Sequence, residues 1–433
     1  MRLWLFLRLW SALWHLGLPL VLGYLWWRGR KDALYAQRVG ERFGRYPRAL
    51  PGAIWVHAVS LGEMRSAVPL VRAMLDRGDT VVTTHFTPAG RREAERVFAA
   101  DIAAGRMAVV WVPFETSWAY AGFFRAFRPV AALVMEIEIW PRMIFAARRA
   151  DVPLFMCNAQ YPTKSMARDA KFPLRHDLMR GFAGAFVKSA LQAERFASVG
   201  VADIEVTGEL RFDQPIPPRL IAAGTTLRNW LGAQDRRVIT VASVVEGEDA
   251  VYVAAIAALL AQGRVFDRRP ALIVYVPRKP ERFDEVATLL AAEGFVVGRR
   301  SQLLDASLAP LGDAPAIDVL LGDSLGEMYC YLAMADIVIV GGGFTPKGAH
   351  NIIEPLALRK PVIVGPVLHT IEYPAVEAIA AGICWAMATP DDLREVLLAG
   401  TAPDAKATEA FFVAHSGATL RTLAALARRL TSR

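Results

Sequence analysis

The segment ADIVIVGGGFTPKGAHNIIEPL, residues 335–356, decides the fold class of this chain. Its apolar run Ile337–Val340 is typical of a buried parallel strand. Glycines 341–343 interrupt that run, and a helix start follows near Asn351. Strand, glycine-rich turn and helix start in this order are how α/β proteins bind phosphate, because glycines let backbone N–H groups approach the anion. The alternative is a tight turn that holds no ligand.

Apolar strands alternate with periodic helices along the whole chain, and the pattern restarts after the proline-bearing stretch FDQPIPP, residues 212–218. This alternation implies parallel sheets, so we predict an α/β protein with two doubly wound, Rossmann-like domains. Ligands of such domains bind at the carboxyl ends of the strands, here facing the cleft between the domains. The predicted strands are 53–58, 80–84, 107–112, 130–135, 152–157, 185–187, 204–206, 238–242, 271–276, 319–321, 337–340 and 361–364.

The predicted organisation has four parts. Residues 1–30 form a hydrophobic anchor, and residues 31–213 form the N-terminal domain. A linker at 214–235 leads to a C-terminal domain at 236–433, which ends in a helical tail. A chain of 433 residues is long enough to bury two such cores.

The positive charge of the chain is concentrated at its N-terminus. The formal net charge is +8, and residues 1–48 alone carry nine Lys and Arg against Asp32 and Glu41. The remaining chain is therefore nearly neutral. A basic terminus on a neutral body argues against nucleic-acid binding.

The same N-terminus is hydrophobic. Residues 9–27 are nineteen residues long and are interrupted only by Ser11, His15, Pro19 and two glycines. That length crosses a bilayer, and flanking tryptophans and the basic run 28–31 are typical of a membrane boundary. The positive flank predicts that the body lies in the cytoplasm. Whether the segment spans the membrane or lies in its interface stays open, because Arg8, His15 and Pro19 disfavour a full span.

Cysteine and histidine give no sign of a metal or a disulfide. Cys157, Cys330 and Cys384 are far apart, without CxxC spacing, and the seven histidines do not cluster. We therefore expect no disulfide framework and no metal site.

The pentapeptide SLGEM occurs twice, at residues 60–64 and 324–328. Each copy follows an apolar strand and precedes a periodic helix. Ser-x-x-Glu before a helix is a capping box, in which the two side chains bind free backbone N–H groups. A carboxylate at this point of a doubly wound domain also lies where active groups are found, so Glu63 and Glu327 are candidates for either role.

An ordered set of motifs resembles the 3-deoxy-D-manno-octulosonate (Kdo) transferases, which are membrane-anchored glycosyltransferases of the GT-B fold. The motifs are RVGERFGRYP (38–47), WVHAVSLGE (55–63), VTTHFTPAG (82–90), LVMEIEIWP (133–141), TGELRFD (207–213), EGED (246–249), VPRKPERF (276–283), GDSLGEM (322–328) and GGGFTPKGAHNIIEP (341–355). The resemblance implies inverting transfer of Kdo from CMP-Kdo to a lipid A precursor in lipopolysaccharide biosynthesis. It also implies a location at the cytoplasmic face of the bacterial inner membrane, with CMP-Kdo as donor substrate and no cofactor.

The resemblance also assigns roles to residues. It makes Glu63 the general base, with Glu136 and Arg211 supporting the transition state, and it makes the N-terminal domain the acceptor side. The CMP-binding segments of the C-terminal domain would be Pro277 with Arg278, then Leu325, Gly326 and Glu327, then Asn351, Ile352, Ile353 and Glu354. These residue types suit the chemistry, because a base must take the acceptor hydroxyl's proton while Arg278 stabilises the departing phosphate. Arg211 would hold the carboxylate of Kdo.

The chain departs from the usual family pattern at Val244, Val245, Ala349, Gln160 and Glu209. These departures leave the exact lipid acceptor and the exact sugar open. The sequence also does not determine the number of Kdo residues transferred or the oligomeric state. Three alternatives remain. One is a GT-B-like transferase of another sugar or acceptor, and another is a sugar-nucleotide epimerase of the same architecture. The third is a catalytically inactive membrane scaffold, which the joint presence of Glu63, Arg278, Asn351 and Glu354 disfavours.

Overall fold

The computed structural model describes residues 2–265 and 270–431. Residue 1 of the predicted anchor and residues 266–269 and 432–433 of the predicted C-terminal domain lie outside the described residues. The described chain forms two compact units. The first comprises residues 2–214 and 415–431, and the second comprises the described residues from 215 to 414.

The first unit is built on a seven-stranded sheet in which every pairing is parallel. Its strands are β1 Ile54–His57, β2 Val81–His85, β3 Met107–Trp111, β4 Ala131–Met135, β5 Leu154–Ala159, β6 Gly184–Val187 and β7 Ile204–Val206. They lie in the order β3-β2-β1-β4-β5-β6-β7, so the direction of winding reverses between β1 and β4. The carboxyl ends at such a switch point are where doubly wound sheets bind ligands.

Helices cover both faces of this sheet, and the strand side chains on each face belong to a separate hydrophobic cluster. The helices are α1 Arg2–Gly29, α2 Val39–Arg42, α3 Leu61–Asp76, α4 Pro88–Val97, α5 Ala99–Ala103, α6 Ser117–Phe127, α7 Pro141–Arg149, α8 Thr163–Asp169, α9 Pro173–Met179 and α10 Ala190–Ser198. Short 3-10 turns occupy Ala33–Ala36 and Leu210–Asp213. Burial on both faces explains why the strands read as continuous apolar runs.

The N-terminal helix α1 lies along the first unit and does not project away from it. Near its start, the Arg142 guanidinium donates to the Leu7 carbonyl at 3.3 Å, and near its end Arg28 donates to the Tyr35 hydroxyl at 2.9 Å. Between them, Trp10 donates to Glu115 at 3.0 Å. The opposite face is an exposed apolar stripe made of Leu5, Leu9, Leu13, Leu16, Leu20 and Trp27. In the described chain, Leu3–Gly29 and Ala405–Thr431 are long and apolar enough to cross a membrane.

The second unit repeats the same design with seven parallel strands in the order β10-β11-β9-β8-β12-β13-β14. They are β8 Val238–Val244, β9 Leu272–Pro277, β10 Val297–Arg299, β11 Val319–Leu321, β12 Ile337–Val340, β13 Val362–Val364 and β14 Cys384–Ala386. Its helices are α11 Pro218–Trp230, α12 Asp249–Val265, α13 Phe283–Ala292, α14 Arg300–Leu303, α15 Met328–Met334, α16 Ile353–Ala357, α17 Glu372–Ala380, α18 Pro390–Ala399 and α19 Ala405–His415, with a 3-10 turn at Pro280–Arg282. The switch point lies between β8 and β12. The predicted fold class, two doubly wound α/β domains with a hydrophobic N-terminal helix, is confirmed.

The predicted linker at 214–235 is largely a structured helix. Most of it is α11, which packs on α15 of the second unit. Gly224 permits this contact, because a Cβ atom there would lie 2.3 Å from the carbonyl oxygen of Cys330. Leu227 on the same helix is buried. The prolines of the stretch therefore mark the start of a helix, where a proline needs no backbone hydrogen bond.

The sequence predicts that the helical tail belongs to the C-terminal domain, but the structure places its last helix, α20 Ala418–Thr431, on the first unit. Arg429 binds Asp203 at 2.6 Å and Glu205 at 2.8 Å, and Leu426 enters the core beneath α3. Apolar periodicity showed that this segment is a helix. It did not show which of two similar sheets the helix covers.

We expect Asp213→Ala to loosen α20. The Asp213 carboxylate accepts the N–H groups of Gly417 at 2.5 Å and Thr419 at 2.6 Å, and it therefore caps the start of this helix. Loss of such a cap costs about 0.5–2 kcal/mol. Amide hydrogen exchange should become faster in α20 and stay unchanged in α18, which has its own capping box. Asp213→Asn retains an acceptor and is the control. Unchanged protection of α20 in the Ala variant would contradict this role of Asp213.

Candidate functional site

Glu63 lies at the switch point of the first unit, in the first turn of α3. The Ser60 hydroxyl accepts the Glu63 N–H at 3.3 Å, and the Glu63 carboxylate accepts the N–H of Val59 at 2.7 Å and the Ser60 hydroxyl at 3.0 Å. These bonds hold the start of the helix and orient the carboxylate at the same time. The first SLGEM copy is thus a cap, and its geometry leaves the catalytic role of Glu63 open.

The Glu63 carboxyl group is nearly buried. Burial and the negative charges of Glu138 and Glu136 raise the pKa of Glu63 to about 8. Burial also raises the pKa of Glu138, whose carboxylate accepts the Trp140 indole N–H at 2.8 Å. His57, the nearby histidine of the same motif, is fully buried, and burial and His85 lower its pKa to about 3. A carboxyl group that titrates near neutral pH is suited to general base catalysis, whereas His57 is not.

Glu136 and Arg211, two residues to which the resemblance assigns support of the transition state, lie close together. Glu136 follows β4 with a positive φ of 56°, an uncommon conformation for a residue other than glycine. Its carboxylate lies 3.6 Å from the Arg211 guanidinium. Arg211 also donates to the Ser66 hydroxyl at 2.7 Å, and Ser66 is one turn beyond Glu63 on α3. Three separate sequence motifs therefore meet at the carboxyl edge of one sheet.

A buried ion pair supports this group, and sequence reasoning missed it. The Lys188 ammonium lies 2.8 Å from Glu209, 3.2 Å from the Gln160 amide oxygen and 3.8 Å from Glu136. Burial alone would raise the pKa of Glu209, but the charges of Lys188 and Arg211, with hydrogen bonds from Lys188 and Asn158, lower it to about 2. Lys188 directly follows the buried strand β6, and that position was the available signal. Gln160 and Glu209, two of the departures from the family pattern, are thus partners of one cation.

The glycine-rich turn of the second unit is filled by a side chain of the protein itself. The buried carboxylate of Glu248 accepts the N–H of Gly342 at 2.6 Å and that of Phe344 at 2.9 Å. The glycines also allow close backbone contacts, because a Cβ atom on Gly343 would lie 2.5 Å from the nitrogen of Gly365. The structure favours the tight-turn interpretation for this run, because the amides of Gly342 and Phe344 are not free for a phosphate.

The other polar groups of this edge include Arg278, Glu354 and His350, whose charges act on one another. Partial desolvation lowers the pKa of Arg278 and the charge of Glu354 opposes that change, so these two predicted residues are near each other. Burial and the charges of Arg278 and Lys347 lower the pKa of His350 to about 4, and its Nε2 atom is buried without a hydrogen-bond partner. Asn351 accepts the N–H of Ile353 at 3.0 Å, which orders the start of α16. Pro277, Ile352 and Ile353 are buried, so a ligand would meet these residues through the backbone.

The second SLGEM copy is not a helix cap. Glu327 is the residue at the start of α15, and its side chain makes no capping bond. Both of its oxygens instead accept from the Arg300 guanidinium at 2.6 Å. The capping prediction is wrong for this copy, because Arg300 offers the carboxylate a stronger partner. Leu325 and Gly326 are exposed beside it, and they remain candidates for ligand contact.

Among residues 2–265 and 270–431, no group of three or more His, Cys, Asp or Glu side chains is arranged to hold a metal ion. All three cysteines are unpaired and buried.

Comparison with known proteins identifies the family. The family model for 3-deoxy-D-manno-octulosonic-acid transferase (Kdo transferase) matches residues 37–214. A 3-deoxy-D-manno-octulosonic acid transferase of Bordetella pertussis is 41% identical over 425 residues, which cover 94% of this chain and 96% of that protein. The chain belongs to the Kdo transferase family. A Kdo transferase of Haemophilus influenzae is 31% identical, over 83% of this chain and 81% of the relative.

Solved structures agree on the fold of this Kdo transferase family member. Anabaena HepE, crystallised with UDP, matches with a TM-score of 0.59 at 14% identity, covering 88% of this chain and 100% of that one. A UDP-GlcNAc 2-epimerase of Neisseria meningitidis matches with a TM-score of 0.55 at 13% identity, over 88% and 100% of the chains. At this level of identity the likeness shows a shared fold alone.

We expect Glu63→Gln to change how stability depends on pH. A carboxyl group with a raised folded-state pKa binds more protons in the folded than in the unfolded protein between its ordinary pKa and about 8. Its contribution is therefore present at low pH and is lost as the pH rises through about 8. Between about pH 5.5 and about pH 8, wild type should lose up to ~1.4 kcal/mol per pH unit relative to Glu63→Gln, as measured by urea unfolding.

The matched comparison is Glu327→Gln in the second copy of the motif. This variant should be less stable than wild type across the same pH range, because it weakens a largely buried ion pair with Arg300. Parallel pH profiles for wild type and Glu63→Gln would show that Glu63 is not a carboxyl group with a raised pKa.

Proposed function

We propose that this protein transfers Kdo from CMP-Kdo to a lipid A precursor, with inversion at the anomeric carbon. The observation that carries the proposal is the position of Glu63. Its buried carboxyl group lies at the switch point of the first unit, in the same group as Glu136, Glu138 and Arg211. Membership of the Kdo transferase family supports the sugar that is transferred. The CMP donor and the lipid acceptor are inferred from the motif resemblance and from the chemistry of the two units.

In the proposed reaction, an acceptor hydroxyl oxygen attacks the anomeric carbon of Kdo. The bond from that carbon to the CMP phosphate breaks, and the hydroxyl proton passes to Glu63. Attack and departure on opposite faces give inversion. The carboxylate form is the base, so the rate should rise with pH toward about 8, the pKa of Glu63.

The positive groups have separate tasks in this proposal. Arg211 holds the carboxylate of Kdo, and its contacts with Ser66 and Glu136 keep its guanidinium in place. In the second unit, Arg278 binds the single phosphate of CMP and stabilises the leaving group. Glu354, close to Arg278, accepts hydrogen bonds from ribose hydroxyls.

We also propose that α1 holds the enzyme at the membrane interface, on the cytoplasmic face of the inner membrane. Contacts along the length of α1 tie it to the first unit, from Leu7 near its start to Arg28 near its end. The exposed apolar stripe of the helix faces away from that unit. A helix fastened in this way is suited to lying in the interface with its stripe among the lipid chains. Basic residues beside it add attraction to anionic lipid head groups.

The reaction is tested by incubating the full chain with CMP-Kdo and a lipid A precursor and reading the product masses. Wild type should give a Kdo-bearing lipid and free CMP, and a UDP-sugar in place of CMP-Kdo should give neither. Glu63→Gln should bind CMP yet lose roughly 10²–10⁴-fold in turnover, because the amide cannot take a proton. No Kdo-bearing product from wild type would overturn the proposed function.

Ser60→Ala is the control that separates capping from catalysis. It removes the Ser60 bonds to Glu63 and should cost about 0.5–2 kcal/mol of stability while much of the rate remains. If Glu63→Gln kept nearly the turnover of wild type, Glu63 would be only a helix cap.

Membrane binding is tested by replacing Leu9, Leu13, Leu16 and Leu20 together with Gln. These side chains are exposed, so the folded unit should retain its thermal stability. The variant should no longer sediment with vesicles of anionic lipid, because burying these four leucines among lipid chains contributes several kcal/mol of membrane affinity.

Four exposed apolar residues elsewhere provide the matched control, namely Val296, Leu311, Val413 and Leu420. Their simultaneous replacement by Gln should leave sedimentation unchanged. Equal release by both sets would contradict a specific role for the α1 stripe.

A further inference from the structure

An apolar pocket of about 420 Å³ lies between α1 and the rest of the first unit. Its walls include Trp10, Trp14, Val21 and Leu25 from α1, together with Phe86 and Trp140 from the loops after β2 and β4. The volume is within the range of small-molecule binding sites, and aromatic and aliphatic side chains dominate the lining. Nothing in the proposed mechanism uses this space.

One of its two charged residues, Glu115, has a structural task. The Glu115 carboxylate accepts the N–H groups of Arg142 at 2.8 Å and Met143 at 3.1 Å, which caps α7, and it also accepts the Trp10 indole N–H. Its hydrogen-bonding capacity is therefore taken up by the protein.

The other charged residue, Arg42, is a buried cation without a carboxylate partner among the described residues. Its neighbour Glu41 is bound instead by Arg91, at 2.7 Å, and by the N–H of Trp111. Arg42 makes one long hydrogen bond, 3.4 Å to the Phe86 carbonyl oxygen, and its Nε atom is buried with no partner. Burial and the charge of Arg91 lower the pKa of Arg42 to about 10, so it remains charged at neutral pH. Its guanidinium carbon also lies 4.3 Å from the centre of the Trp111 ring. A buried guanidinium that has an aromatic neighbour but no carboxylate partner in the described chain favours an anion nearby.

The pocket adjoins both the catalytic group and the exposed stripe. Trp140, in its wall, donates to Glu138, whose charge acts on Glu63. On the other side, Val21 lines the pocket from the same helix on which Leu20 is 78% exposed. A lipid chain in the pocket would therefore contact the tryptophan that binds Glu138.

We propose that this pocket takes one hydrocarbon chain of an anionic lipid acceptor, and that the charge of Arg42 selects a phosphorylated lipid over a neutral one. The inference deepens the proposed function by assigning a subsite for the acceptor. It also accounts for the buried Arg42 of the RVGERFGRYP motif, which no step of the transfer uses.

Binding is tested on the full chain with three probes, all kept below their micelle concentrations. Dodecyl phosphate carries a chain and an anion, dodecyl maltoside carries the chain alone, and inorganic phosphate carries the anion alone. Tryptophan fluorescence reports occupancy, because three tryptophans line the pocket. Dodecyl phosphate should bind about tenfold or more tightly than the maltoside, and inorganic phosphate should not bind measurably.

Two neighbouring substitutions on α1 locate the site. Val21→Phe fills the pocket and should weaken dodecyl phosphate binding by about tenfold, the equivalent of two methylene groups losing burial. Leu20→Phe changes only the exposed face and should leave the affinity unchanged. Equal effects of both variants, or no effect of Val21→Phe, would overturn the assignment of the pocket.

Arg42→Gln tests the charge, with thermal unfolding as a check that the variant is folded. Arg42→Gln should bind dodecyl phosphate and dodecyl maltoside with about equal affinity. Arg42→Lys should restore part of the preference for dodecyl phosphate. If Arg42→Gln does not fold, the two probes on wild type decide, and equal affinity for dodecyl phosphate and dodecyl maltoside would overturn the role of Arg42.

Transfer assays separate this inference from the proposed function. Val21→Phe should raise KM for the acylated acceptor and leave KM for its deacylated form unchanged. A rise for both acceptors alike would overturn the subsite while leaving Kdo transfer standing. If no variant and no wild-type protein transfers Kdo, the proposed function fails, and the binding arms still decide whether the pocket takes an anionic lipid chain.

Discussion

The ion pair between Lys188 and Glu209 is the interaction on which the site of the first unit depends. The same Glu209 carboxylate accepts the Asn158 amide at 2.8 Å, and Asn158 in turn accepts the N–H of Leu210 at 3.0 Å. This chain of bonds sets the position of the turn Leu210–Asp213, which carries Arg211. A buried pair of this kind adds little stability over apolar residues, but loss of one partner leaves an uncompensated charge. Its value here is the placement of groups around Glu63.

The same turn couples the site to the end of the chain. Arg211 points toward Glu136 and Ser66, while Asp213 binds the start of α20. One short 3-10 turn thus holds a candidate catalytic side chain and fastens the last helix to the first unit. The position of the tail follows from this contact and from the pairing of Arg429 with residues 203 and 205.

The two SLGEM copies show how environment decides the role of identical residues. In the first copy, Glu63 faces other carboxylates and has no cationic partner among its hydrogen bonds, so its pKa is raised to about 8. In the second copy, Glu327 meets Arg300, and the result is an internal ion pair. An internal carboxylate also takes the place of a ligand at the glycine-rich turn. There the Glu248 carboxylate binds amides of the kind that bind phosphate in other α/β proteins.

Much of the fold was predictable from local pattern, because a parallel strand buried on both faces must be a continuous apolar run. Strands such as Ile54–His57 and Ile337–Val340 were predicted within a few residues. The two strands that were missed, Val297–Arg299 and Cys384–Ala386, are short strands at the edges of the second sheet and carry little pattern. The motif resemblance also assigned Glu63, Glu136 and Arg211 to one catalytic group.

By itself, the sequence determined the two α/β halves, the apolar N-terminus and the family to which the chain belongs. The periodicity of apolar residues, the turn residues and the ordered motifs are all local features, so they can be recognised in the sequence alone. Only the tertiary structure decided that Glu248 fills the glycine turn, that Lys188 neutralises Glu209 and that α20 covers the first unit. Those outcomes depend on which charges and apolar faces meet across many residues, and hydrogen bonding and burial settle them once the sheets have formed.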